Sequence, residues 1–142
     1  MPHDPPRDQQ GKIVPHDHAD ILDGYHVIRH TTPNDLAFDL SLGAKRLSSG
    51  AFSESSDGGM CVYVEEWMAT DGLGPLNYLN DSTHGAVRLK VGKLRELGFK
   101  VGWDPDNGPR HHAAVWGIGN GSKRKKKIWA IKETIKKAAG EF

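Results

Sequence analysis

One cysteine, Cys61, is the only thiol in this 142-residue chain, so an intramolecular disulfide is excluded and no Cys-x-x-Cys metal clip exists. Apolar runs are short as well. None approaches the roughly 20 residues that a bilayer-spanning helix requires, and no charged start followed by an apolar stretch resembles a secretory leader. These absences predict a reducing, cytoplasmic setting with no membrane partner. Net charge is almost absent too: 19 basic side chains stand against 18 acidic ones, so no single electrostatic partner is expected for the molecule as a whole. Internal repeats and heptads are missing, as are the Gly-x-Ser-x-Gly elbow and the glycine spacings of Walker and dinucleotide loops.

What is present suits one folded domain, because a chain of this length already buries most of the apolar surface its unfolded form exposes. Residues 1–20 carry four prolines and little to bury, which predicts a disordered tail ahead of a single domain over 21–142. Alternation from Tyr25 to His30 predicts a first strand, and a second is expected from Met60 to Glu66 after a turn at Asp57-Gly58-Gly59. Residues 35–42 fit a short helix and a loop equally well. The glycines and proline of 71–80 predict a surface loop. A helix is expected from Ser82 or Thr83, with Val87, Val91, Leu94 and Leu97 on one stripe and Gly98 as its C-terminal cap. Phe99–Trp103 and His111–Ile118 read as strands, and Lys123–Ala139 as an amphipathic final helix. The order predicts an α+β fold, a mixed or antiparallel sheet with about two packing helices.

Chemistry has few candidates. His16 with His18, and His111 beside His112, invite a metal, but strand neighbours point to opposite faces and zinc needs several converging ligands, so no metal site is predicted. Cys61, placed mid-strand, reads as a small core residue. The run Lys123-Arg-Lys-Lys-Lys followed by Trp129 is the one dense basic patch; a solvated helix face accounts for it, and nucleic-acid contact is expected to be weak and sequence-independent at most. Arg29 stands out, since a guanidinium on a strand is costly unless it is paired or faces a ligand. An ion pair with Glu65 or Glu66 would satisfy it.

Arg29, the segment Arg46-Leu-Ser-Ser-Gly-Ala-Phe and the run Cys61-Val-Tyr-Val-Glu-Glu-Trp together resemble the ADP-ribosyltransferase-like superfamily, which includes RES-domain toxins that consume NAD. The resemblance implies that Arg29 holds a phosphate or ribose of NAD. It implies equally that Ser48 or Ser49 supports the nicotinamide side, and that Glu65 or Glu66 stabilises a ribosyl cation. The chain also resembles a small bacterial protein family through the Arg-x-Ser-Ser-x-Ala-Phe segment and the late Asp-Pro followed by histidine and an apolar strand. Two functions are therefore expected in parallel: an NAD- or nucleotide-binding domain with or without cleavage, and a non-catalytic module of the antitoxin or accessory type that binds a protein partner through its sheet edge or terminal helix.

Overall fold

Apolar side chains on both faces of its central strands build the sheet in the computed structural model, which describes residues 2–55 and 58–142. The strands are β1 (His26–Thr31), β2 (Leu36–Asp39), β3 (Ala44–Leu47), β4 (Met60–Val64), β5 (Gly85–Lys90), β6 (Lys100–Trp103), β7 (His112–Trp116) and β8 (Glu133–Lys136). Six of them form one antiparallel sheet in the order β6-β7-β4-β1-β5-β8, and β2 pairs with β3 in a separate hairpin. Three helices complete the fold: α1 (Glu65–Thr70), α2 (Val91–Glu96) and α3 (Ser122–Ile131). The α+β class and the antiparallel sheet agree with the sequence. Among the described residues, no helix is long and apolar enough to cross a membrane.

Two apolar faces flank the sheet. Val27, Val62, Val64 and Leu89 meet Leu94 of α2, Ile128 of α3 and Phe52 in the main core. On the other face Ile28 and Ala86 pack beneath Met68 of α1, with Leu73, Tyr78 and Leu79 of the following loop closing over them.

That double cover explains the largest departure from the sequence reading. Residues 85–90, expected as helix, form β5 between β1 and β8. A strand buried on both faces loses the alternation that would have marked it, and the spacing of Val87, Val91 and Leu94 happens to suit a helix. Only the last part of the expected helix survives, as α2, and Gly98 with φ of 93° ends it in the left-handed region as expected. The final helix is also shorter. It stops at Lys132, whose ψ of 146° turns the chain into β8 along the edge of β5. β-Branched Thr134 and Ile135 suit that strand. Residues 35–42 are neither helix nor loop: Thr32 and Asp35 cap a short turn reciprocally, and the hairpin β2–β3 follows. Of the turn expected at 57–59, Asp57 lies outside the described residues.

The stretch read as a tail is a strap laid along the outer edge of β6. His18 donates its N–H to the carbonyl of Val101 at 2.9 Å, and the Asp17 carboxylate accepts the N–H of Val101 at 3.0 Å. His16 Nε2 accepts the N–H of Trp103 at 3.1 Å. Composition misled here because the attachment is largely polar. An unpaired strand edge offers backbone donors and acceptors, and side chains of Asp and His satisfy them as well as another strand would. Ile13 adds an apolar contact with Ala114 and Trp116.

Candidate functional site

The residues singled out by the ADP-ribosyltransferase-like resemblance occupy two separate places. Arg29 lies half-buried on β1 beyond the point where the β1–β4 ladder ends at Ile28↔Tyr63. Its Nε donates to the carbonyl of Ala51 at 3.1 Å and its Nη1 to the carbonyl of Cys61 at 3.0 Å. The guanidinium therefore takes over backbone hydrogen bonding where the two strands separate. Burial lowers its pKa, and the ion pair expected with Glu65 or Glu66 is not formed. Ser48 caps the short turn Ser49–Ala51 by accepting the N–H of Gly50 at 3.1 Å. Arg29 thus meets the Ser48-Ser49 segment through the Ala51 carbonyl, and neither serine hydroxyl bonds to the guanidinium.

Glu65 and Glu66 begin α1 rather than extending β4. Arg88 Nε and Nη2 each reach a Glu65 oxygen at 2.7 Å, and this fork pulls the carboxyl below its ordinary value. Glu66 accepts the backbone N–H of His26 at 2.8 Å and pairs with the His26 ring at 3.0 Å. His26, Glu65 and Glu66 place one ligand atom each within 4.8 Å of one another, a donor set of the kind a divalent ion accepts. Their oxygens already hold Arg88 and His26, which makes the cluster a hydrogen-bonded joint between α1, β1 and β5. His26 and Arg29 stand three residues apart on β1 and so point to opposite faces of the sheet, which places the glutamates and the arginine on different sides. Cys61, expected in the core, is exposed on β4.

A cavity of about 350 Å³ lies elsewhere, lined by Pro2 and Asp20 of the strap, Tyr25, Trp67 and Thr70 of α1, and Arg110. The two rings belong to residues that also pack on the main core, and Trp67 meets Trp103 edge-on at 6.3 Å. Arg110 is tied into a polar chain that runs into the protein. Its Nε donates to both oxygens of Asp71 at 2.9 and 3.0 Å, and Asp71 Oδ2 lies 2.9 Å from His111 Nδ1. His111 Nε2 in turn pairs with the Tyr78 hydroxyl. Arg110 first and His111 second hold the Asp71 carboxyl down to about 2. An ionised Asp71 accepts from Nδ1–H of the buried imidazole, whose Nε2 faces the Tyr78 hydroxyl. The chain Tyr78–His111–Asp71–Arg110 fixes the arginine at the pocket rim.

Asp71, Tyr78, Arg110 and His111 were not singled out together by the sequence. They come from a glycine-rich loop and a turn about 40 residues apart, with no spacing rule linking them. Tyr25 and Trp67 carried a weak signal as aromatics at the ends of a strand and of the Glu-Glu-Trp run. In the basic patch on α3, Trp129 donates Nε1–H to the Leu47 carbonyl at 2.7 Å and lies beneath Lys132 and Arg46. Its ring is engaged in the fold instead of standing open to a base. No protein-family model, curated protein or solved structure matches the chain.

Proposed function

We propose that the protein is a binding module for a small anionic aromatic molecule of the mononucleotide class, seated in the pocket of Tyr25, Trp67 and Arg110. The observation that carries this reading is an arginine held at the pocket rim by Asp71, which is braced in turn by buried His111 and half-buried Tyr78. Fixing a guanidinium in advance removes much of the entropy that a flexible side chain loses on binding an anion. Tyr25 and Trp67 supply apolar walls against which a heterocycle packs. A cavity of about 350 Å³ sits at the lower end of the range for ligand sites, which favours one nucleotide over an entire dinucleotide. The reading retains nucleotide binding and drops cleavage, because Glu65 and Glu66 are occupied by Arg88 and His26.

Calorimetric titration with AMP and with NAD, alongside a nicotinamide-release assay, tests the reading. AMP is expected to bind, NAD to bind no more tightly, and Arg110→Ala and Trp67→Ala to weaken AMP binding by roughly tenfold or more, the loss of one charged hydrogen bond or one ring contact. No nicotinamide should be released. Absence of AMP binding by folded protein overturns the proposal, whereas nicotinamide release abolished by Glu65→Gln or Glu66→Gln would restore the cleavage reading.

A further inference from the structure

Among the contacts that hold the strap forming one wall of the pocket, one requires a neutral imidazole. His16 is seated against Gly102, where a Cβ would come within 2.7 Å of its Cε1 and Nε2 atoms, and its ring lies 5.1 Å from that of Trp116. With Nδ1 2.8 Å from the carbonyl of Val14 and Nε2 accepting the Trp103 N–H at 3.1 Å, the imidazole stands where a neighbouring strand would supply an acceptor to β6. Only a neutral ring can do this, because protonated imidazole is a donor at both nitrogens and would confront the Trp103 N–H with another N–H.

The groups around His16 pull in opposite directions. Burial disfavours its charge most, and His18, whose ring is 5.7 Å away, adds to that. Asp17 on the strap and Asp104 beyond β6 favour the charge. The Asp17 carboxylate is itself engaged by the Val101 N–H and by Arg95 of α2 at 2.9 Å. Burial prevails, and the pKa of His16 lies below its ordinary 6.5. A short clasp then joins the strap to the pocket. His18 Nε2 lies 2.7 Å from the carbonyl of His3, and Asp20 accepts the His3 N–H at 2.7 Å. Pro2 and Asp20, on either side of that clasp, line the cavity.

We propose that residues 2–20 form an acid-released lid, latched across β6 by neutral His16 and opening the Tyr25–Trp67 pocket when that ring is protonated. The lid rests on the pocket reading only for what enters; the latch itself does not depend on it. The docked ring has the lower pKa, so the released strap binds more protons. The His16 contribution to docking is therefore fully present above about pH 6.5 and is lost as pH falls through that value toward the lower pKa of the docked ring.

The full chain labelled with 5-fluorotryptophan reports latch and pocket at once by fluorine NMR, with its four tryptophans assigned by single Trp→Phe variants. Between pH 7.5 and pH 5, resonances of Trp103 and Trp116, beside the latch, and of Trp67, in the pocket, are expected to move together with one midpoint below 6.5. Trp129, bonded to Leu47 on the far hairpin, should stay still and report an intact fold. In His16→Gln the shared midpoint of the three should be lost, whether the strap stays docked or is released throughout. Titration of Trp103 and Trp116 without Trp67 overturns the lid, and unchanged titration in His16→Gln overturns the latch. Adding AMP separates the two proposals: a failure of AMP to shift Trp67 at either pH sinks the nucleotide reading while leaving the acid titration as it is.

Discussion

Arg29 shows how one residue can look functional and be structural. A guanidinium costs free energy when buried, and the sequence allows two remedies, a carboxylate or a ligand. The structure uses a third, two backbone carbonyls left open where β1 and β4 part. Sequence cannot show this, because the acceptors are main-chain atoms that every residue possesses. Arg29→Met should therefore lower stability by about 2–4 kcal/mol in urea unfolding, the usual scale for two charge-assisted hydrogen bonds, and leave AMP affinity within about twofold, since the pocket lies elsewhere. Arg29→Lys should recover only part of the loss, because an ammonium lacks the fork that spans the two carbonyls. A well-folded Arg29→Met protein with abolished nucleotide binding would return Arg29 to the site.

Elements were legible where turn residues bound them and obscure where a strand carries on the apolar spacing of a neighbouring helix. β1, β4, β6 and β7 stand close to where alternation and turn residues place them, while β5 and β8 were absorbed into neighbouring helices. For β8 the cause is the continuous isoleucine spacing of Ile128, Ile131 and Ile135, which a helix and a helix-to-strand passage satisfy equally. α2 is a useful test because its reading survived a wrong start. Leu94 is fully buried in the main core and Lys93 beside it is exposed. Leu94→Ala should destabilise by about 2–4 kcal/mol through the cavity it leaves, and Lys93→Ala by less than about 0.5 kcal/mol. Chemical denaturation of the two variants decides it, and equal losses would mean that α2 packs on another face. The site was less legible than the fold. Its pocket unites residues from the strap, the start of β1, α1 and the turn before β7, and no local spacing records such a meeting.

At the scale of the whole molecule the strap joins parts that the sequence suggests are separate. Residues 2–20 look dispensable by composition, being rich in proline and charge, and their removal would then leave stability untouched. The structure puts them on the β6 edge, where Val101 and Trp103 would otherwise present unpaired backbone groups, and over the ring of Trp116 through Ile13. Arg95 of α2 reaches Asp17, the carbonyl of His18 and Asp23, so the same segment also ties the helix down. Deleting residues 2–20 should consequently lower the thermal midpoint by on the order of 5–10 °C, a net loss of one to a few kcal/mol for a domain of this size. Amide exchange locates the effect: protection at Val101 and Trp103 should fall, while β1 and β5 in the sheet interior keep theirs. The pocket loses Pro2 and Asp20 in the same deletion, so AMP should enter faster and bind more weakly. An unchanged midpoint with unchanged protection on β6 would show that the strap contributes nothing to the fold, and that the edge of β6 is stable when left to water.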